Sequence, residues 1–334
     1  EHWLISNSEL TVLENEVLGQ GGQGIVLAGT FCRSPVAIKR CTVHSGLPGL
    51  MSVMNELRIL RHLRHPNIVL FHGVCLGSPA ATNVMIVLER LKGTDLSGYV
   101  MKFLHAWKPS SPHAQQQLRI LRMVCEALIY LGSRSPRIVH GDLTPRNIMV
   151  ERREGQPFAK LLDFGLSRKV ARNATLHGGT ARYFAPEILL KGNRPTTAAD
   201  VFSLGRLIFF VASGRRPLAP HHDKHIVESA RQGKVLPLAF APSTQLLSQL
   251  QPIVQSCTEH EAELRPTVEE VHDLICASAL PVDALQNECT GLALQAPRSR
   301  GSSAGSTGAT SRNTGGTPSV SVTFSLTNRE GNIK

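Results

Sequence analysis

The eight residues His140-Gly141-Asp142-Leu143-Thr144-Pro145-Arg146-Asn147 constrain this chain more than any other stretch. A short apolar run, Ile138-Val139, precedes them and a longer one, Ile148-Met149-Val150, follows, so the pattern predicts a loop between two strands. Asp142 and Asn147 on one constrained loop suit a base and a metal ligand serving a single centre. Downstream, Asp163-Phe164-Gly165 again follows an apolar run, Leu161-Leu162. An acid, an amide and a second acid on two neighbouring turns make a site suited to moving phosphate with magnesium, a hard cation that prefers oxygen ligands.

The chain has 334 residues, 42% of them hydrophobic, which is enough for one large domain or a two-lobed one with a real core. Its formal charge of +11 raises the question of nucleic acid or a membrane surface. The Lys and Arg are scattered, however, and aromatics make up only 5% of residues, so a solvated basic surface is expected and nucleic acid is not. The same balance favours acidic substrates. Seven widely spaced cysteines with no C-x-x-C pair fit reduced thiols in a cytoplasmic setting better than a disulfide framework. No run approaches the roughly 18 apolar residues that span a bilayer. The longest, Leu204 to Ala212, carries Arg206 and reads as a buried helix. The sequence opens at Glu1, so an upstream region carrying a regulatory segment, signal or membrane anchor is expected to precede it.

Near the start, Val17-Leu18-Gly19-Gln20-Gly21-Gly22-Gln23-Gly24-Ile25-Val26 reads as strand, glycine turn and strand. Its spacing fits G-x-G-x-x-G-x-V, and glycine lets the backbone approach a phosphate because no Cβ intervenes. A dinucleotide site would need a helix directly after the glycines. β-type residues follow instead, so a hairpin is expected. Val36-Ala37-Ile38-Lys39 is an apolar strand ending in one Lys, a pattern equally open to a snorkelling surface residue. Met51 to Leu63 reads as a helix with Val53, Leu57, Leu60 and Leu63 on one stripe, stopped by His65-Pro66. Glu56 lies beside that stripe, where it is either a solvated charge or a partner for Lys39. Asn67–Cys75 and Val84–Leu88 read as strands, and Ala114 to Leu131 as an amphipathic helix with Leu118, Leu121, Cys125 and Leu128 inward.

Together these motifs resemble the eukaryotic protein kinases, over about Val12 to Leu280 and in the right order. The flavour is that of the tyrosine-kinase-like group of serine/threonine kinases, supported by Trp3-Leu4-Ile5, Arg64-His65-Pro66-Asn67-Ile68-Val69 and Cys257 ahead of Arg265-Pro266. The resemblance implies an α+β fold with a β-rich N-terminal lobe over residues 1–91, of five strands, and a helical lobe over 92–284. It implies ATP and Mg2+ in the cleft and protein substrates outside it, as expected of a signalling enzyme. Gly19, Gln20, Gly21, Gly22, Gly24, Val26, Ala37, Lys39 and Met149 would then contact ATP, with Glu56 orienting Lys39. Glu89 and Leu91 would offer backbone groups to adenine, behind Leu88, and Asp95 is a weaker candidate for the ribose. Asp142 would be the catalytic base, while Asn147 and Asp163 would hold magnesium. Thr180 and Glu187, in Gly179-Thr180-Ala181-Arg182-Tyr183-Phe184-Ala185-Pro186-Glu187, would seat the substrate peptide. Asp200 would tie down the catalytic loop, and Arg265 would pair with Glu187 as a buried ion pair.

Two departures stand out. Gly141 occupies the place of the arginine that usually couples loop phosphorylation to the catalytic aspartate, so activity is expected not to depend on phosphorylating Ser167, Thr175 or Thr180. Thr144 replaces a lysine usual in Ser/Thr kinases, while Arg146 matches an arginine of tyrosine kinases, leaving the acceptor residue open. Two rival readings are a small-molecule phosphotransferase of the aminoglycoside type, whose loop also begins H-G-D, and a pseudokinase scaffold. The segment at Ala185-Pro186-Glu187 weighs against the first, and the presence of Lys39, Asp142, Asn147 and Asp163 against the second. His221, His222, Asp223 and His225 are expected in a solvated, Pro-flanked loop and not at a metal. From about residue 285 the Ser/Thr/Gly-rich composition cannot bury enough surface to offset chain entropy, so 285–334 is expected to be disordered, with Val320–Leu326 strand-like.

Overall fold

The computed structural model describes residues 3–21, 24–42, 47–77, 83–104, 113–164, 180–189, 196–241 and 244–278. Gly22, Gly165, residues 166–179 and the tail expected from 285 lie outside them. All the described residues fall in one unit, Glu1–Asn287.

The first strands are β1 (Leu10–Gly21), β2 (Gly24–Phe31) and β3 (Ser34–Thr42), followed by helix α1 (Leu47–Leu60), β4 (Phe71–Leu76) and β5 (Asn83–Glu89). They form the expected five-stranded antiparallel sheet in the order β1-β2-β3-β5-β4. The glycine turn is tight for a steric reason. Gly24 has φ 135, and a Cβ there would lie 2.2 Å from the Arg40 carbonyl oxygen on β3, so no larger residue fits. At the other edge Ile5 N–H donates to the Val74 carbonyl and Val74 N–H to that of Trp3, both at 2.8 Å. The lead-in thus covers the free edge of β4.

A second sheet, β6 (Gly93–Asp95), β7 (Ile148–Arg153) and β8 (Gln156–Leu161), carries the loops of interest. Between β6 and β7 lie α2 (Leu96–Leu104) and α3 (His113–Gly132), and α3 buries all four residues of its expected stripe. After β8 come α4 (Pro186–Leu189), α5 (Thr197–Ser213), α6 (Asp223–Arg231), α7 (Gln245–Cys257) and α8 (Val268–Ala277). Helix α5 is the pillar of this half, buried continuously from Ala199 to Ser213. Thr196 caps its start by accepting the Ala199 N–H, and Gly214 closes it in the left-handed region at φ 67. Among the described residues no helix is long and apolar enough to cross a membrane.

Three local expectations need correction. Residues 67–70 do not continue β4. Val69 N–H donates to Leu161 O and Leu161 N–H to Asn67 O, so residues 67–69 pair with the end of β8, while the Leu70 carbonyl accepts the Glu89 N–H of β5. Ile138-Val139 forms no strand, because Ile138 N–H turns back to Leu131 at the end of α3 and His140 N–H is taken by a side chain. The His221–His225 stretch is not all loop: His222 is the N-cap of α6, and Asp223 and His225 are helical. The described residues hold no cluster of three or more His, Cys, Asp or Glu fit for a metal.

Candidate active site

The antiparallel register sets out one wall of the cleft. Gly19 pairs with Val26, Val26 with Lys39 and Lys39 with Ile86, so these four form one row across the sheet. Residues directly opposite in an antiparallel pair share a face. The next row on that face, two residues along, holds Ala28, Ala37 and Leu88. The Lys39 ammonium meets Glu56 Oε1 and Oε2 at 2.8 and 3.0 Å and Asp163 Oδ1 at 3.0 Å. Lys39 and Glu56 are 7% and 3% exposed, so the solvated-charge reading of Glu56 fails. Burial by itself would lower the Lys39 pKa, but Glu56 and Asp163 outweigh it and hold the amine well above its usual value.

Asp163 has φ 54, a left-handed conformation that Asp tolerates better than most residues. Its neighbour Phe164 is fully buried with its ring 5.3 Å from that of His140. His140 is buried too, and its Nε2 lies 3.0 Å from the Leu162 carbonyl. This contact binds the loop at 140–147 to the turn that carries Asp163.

Within that loop, Asn147 Nδ2 donates to the Asp142 carbonyl at 2.8 Å and to Asp142 Oδ2 at 2.9 Å. Pro145–Asn147 is a single 3₁₀ turn, which brings the amide back over Asp142. Asp142 Oδ1 is buried with no hydrogen-bond partner. Burial pushes the Asp142 carboxyl up to about 6, helped by the charges of Asp163 and Asp200 and opposed by His140 and Asn147. From α5, Asp200 accepts the His140 N–H at 2.7 Å and the Gly141 N–H at 2.9 Å. Gly141 sits at φ 77, which glycine adopts without strain.

At the far end of the cleft the picture is mixed. A Cβ at Gly19 would meet nothing within 4 Å, so that glycine borders open space. Gln20 and Gly21 continue β1 opposite Ile25 and Gly24. Met149 is half-buried and pairs with Asp95, while Leu91 lies between the two sheets. Glu89 N–H is already donated to the Leu70 carbonyl, so only its carbonyl is left for an adenine. Asp95 Oδ1 accepts the Gly98 N–H at 2.6 Å, spending that oxygen on the start of α2 and weakening a ribose role.

The stretch expected to seat a peptide begins with a 3₁₀ turn, Thr180–Arg182, and ends at α4. Arg265 Nη1 and Nη2 reach Glu187 Oε1 and Oε2 at 2.7 and 2.9 Å. The expected pair is present but unevenly buried: the Arg265 side chain is 0% exposed and that of Glu187 24%. Arg265 also donates to the carbonyls of Glu259, His260 and Ala198, so it anchors two backbone segments besides Glu187.

Sequence reasoning assigned no role to Asn67 and overlooked Lys160. Buried Asn67 donates Nδ2 to the Ala159 carbonyl at 2.9 Å. Lys160 Nζ meets Glu89 Oε1, which also accepts the Leu70 N–H at 2.7 Å. These bonds brace the strand leading to Asp163 from behind. A polar residue directly after His65-Pro66, and a lysine inside an apolar strand, were the available signals.

Comparison with known proteins agrees with this geometry. A family model described as protein tyrosine and serine/threonine kinase matches residues 12–275. A probable serine/threonine-protein kinase of Dictyostelium discoideum is 28% identical over 279 residues, 82% of this chain and 16% of that protein. U-box domain-containing protein 70 of Oryza sativa subsp. japonica is 32% identical, covering 75% of this chain and 31% of that protein. The ovarian-specific serine/threonine-protein kinase Lok of Drosophila melanogaster is 29% identical, covering 66% of this chain and 44% of its own length. The chain therefore spans less than half the length of these relatives. With the family match running from β1 to α8, over the same residues that build the cleft, this chain belongs to the protein tyrosine and serine/threonine kinase family.

Proposed function

We propose that this chain transfers the γ-phosphate of ATP to serine or threonine hydroxyls of protein substrates. The observation that carries the reading is the Lys39 ammonium held between Glu56 and Asp163, in the fold that also presents Asp142. Lys39 would hold the α- and β-phosphates, with Glu56 fixing its position. Gly19, Gln20, Gly21, Gly22, Gly24 and Val26 would cover the phosphates, and Ala37, Met149, Glu89 O and Leu91 would bound the adenine. The acceptor hydroxyl would meet Asp142 Oδ1, the buried oxygen that has no partner of its own. Its proton passes to that carboxylate as the new P–O bond forms and the β–γ bridge breaks.

The residues also fit magnesium. Asn147 commits its amide nitrogen to Asp142, leaving its oxygen as a donor, and Asp163 supplies a carboxylate. Two protein oxygens are what Mg2+ takes when nucleotide phosphates complete its shell. When bound, the ion would neutralise charge on the β- and γ-phosphates.

The Glu187–Arg265 clamp supports a protein acceptor over a small molecule, because it rigidifies a platform beside the loop that only a peptide needs. Serine and threonine are favoured by the names of the relatives. Unpaired thiols at all six described cysteines support a reducing, cytoplasmic setting for the domain, with regulatory segments elsewhere in a longer protein. The test is transfer of label from γ-labelled ATP, with Mg2+, to serine, threonine and tyrosine peptide pools and to hydroxylated small molecules. Label is expected in the serine and threonine pools. Label confined to small molecules, or absent throughout, would contradict the assignment.

A further inference from the structure

The stretch Thr180–Glu187 has more positive charge around it than its own structure uses. Arg182 is held at both Nη atoms, Nη1 donating to the Pro217 carbonyl at 3.2 Å and Nη2 to the His221 carbonyl, while its buried Nε lies 3.2 Å from Asp223 Oδ1 without forming a hydrogen bond. These bonds hold the turn after α5 against the stretch. Arg206, from the middle of α5, is buried and donates Nη1 to the Arg182 carbonyl at 2.6 Å. Its guanidinium lies 4.5 Å from the centre of the Phe202 ring, and that of Arg265 lies 4.9 Å from the same ring. Among the described residues no carboxylate pairs with Arg206, and its buried Nε has no hydrogen-bond partner. Arg216, adjacent to Pro217, is exposed and makes no ion pair with a described residue. Burial raises the Tyr183 hydroxyl well above its usual pKa, and the charges of Arg216, Arg182 and Arg206 all pull against that rise.

Nearby carboxylates do not offset these charges. Glu187 is held by Arg265, Asp223 by Arg182, Asp200 by the backbone at 140–141, and Glu228 by Gln232 and Arg231. The uncompensated charge therefore lies along the platform that would receive the residue flanking the acceptor. A buried cation with no counter-ion is costly, and an anion arriving with the substrate would relieve that cost. We infer that Arg216, backed by the buried Arg206, selects protein substrates bearing an anionic side chain beside the acceptor hydroxyl. Arg216 would touch that side chain and Arg206 would act through its field. The inference rests on the protein-kinase reading and names the substrate class of the same site.

The test uses the full chain, ATP and Mg2+ with serine peptides identical except for the residues flanking the acceptor: Ala, Lys, Glu or phosphoserine. An advantage of about five- to tenfold in kcat/KM is expected for Glu over Ala, with Lys worse than Ala, in keeping with a partly exposed ion pair. The phosphoserine arm tells a carboxylate from a phosphate as the preferred anion. Arg216→Glu, an exposed change that leaves the core intact, should reverse the order of Glu and Lys without altering the KM for ATP. Equal rates on all four peptides, or an unchanged preference in Arg216→Glu, would overturn the inference while leaving phosphate transfer to peptides standing. No transfer to any peptide would overturn the proposed function and this inference together.

Discussion

Gly141 combines a left-handed backbone at φ 77 with an N–H donated to Asp200, one residue before the unpartnered Asp142 oxygen. A side chain there is strained by roughly 1–2 kcal/mol. Gly141→Arg should accordingly lower the melting temperature by about 2–4 °C or somewhat more. With no arginine beside Asp142 for a phosphorylated loop to engage, dephosphorylated protein should keep its initial rate. Phosphatase treatment, confirmed by mass spectrometry, checks this. A fall of about a hundredfold, roughly 2.7 kcal/mol of barrier, reversed on rephosphorylation, would contradict it. At this scale the contacts of Lys39 with Glu56 and Asp163, and of Asn147 with Asp142, were legible, because these residues stand in motifs of fixed spacing along the chain. Asn67 and Lys160 were not, since a carbonyl 92 residues away and a carboxylate 71 residues away leave no trace in local spacing.

Helix α1 does two jobs with one face, burying Val53, Leu57 and Leu60 while aiming Glu56 at Lys39. Glu56→Gln keeps the shape and removes the charge, so the helix should remain folded while Lys39 loses its anchor. A misplaced phosphate ligand can cost about a hundredfold in turnover, and steady-state kinetics with a thermal melt would show activity falling much further than stability. The clamp behind α4 should behave differently. Arg265→Ala leaves Glu187 and three carbonyls without their donor, at a cost of about 3–5 kcal/mol, and should depress the melting temperature sharply. Glu187→Gln should cost less, because Glu187 is partly solvated and glutamine still accepts. Equal melting curves for wild type and Arg265→Ala would count against the clamp. Element types were readable from period, but their ends were set elsewhere. Helix α1 stops at Leu60 and not Leu63, tightening through His62 N–H to Ile59 O and Leu63 N–H to Leu60 O. Residues 67–69 pair with β8 and do not extend β4, a competition between partners that no window of sequence contains.

Across the whole molecule, the site is a meeting of a sheet, a helix and two loops that the chain separates widely: Lys39 and Asp163 are 124 residues apart, and Arg265 and Glu187 are 78. The order of motifs made the α+β fold and the cleft legible, since each motif presupposes the others. What the order left out was the charge balance of the platform, where Arg182, Arg206 and Arg216 come from two elements and a turn and look unrelated in sequence. Everything proposed for this site depends on Asp163, beside Lys39, belonging to a phosphate-transferring centre. The most direct test is single-turnover transfer from γ-labelled ATP to a serine peptide pool by wild type and Asp163→Asn, with circular dichroism on both. The fold should be unchanged by the substitution and the rate lower by about a thousandfold, at the upper range for losing one preorganised electrostatic group. Equal rates for the two proteins would contradict it.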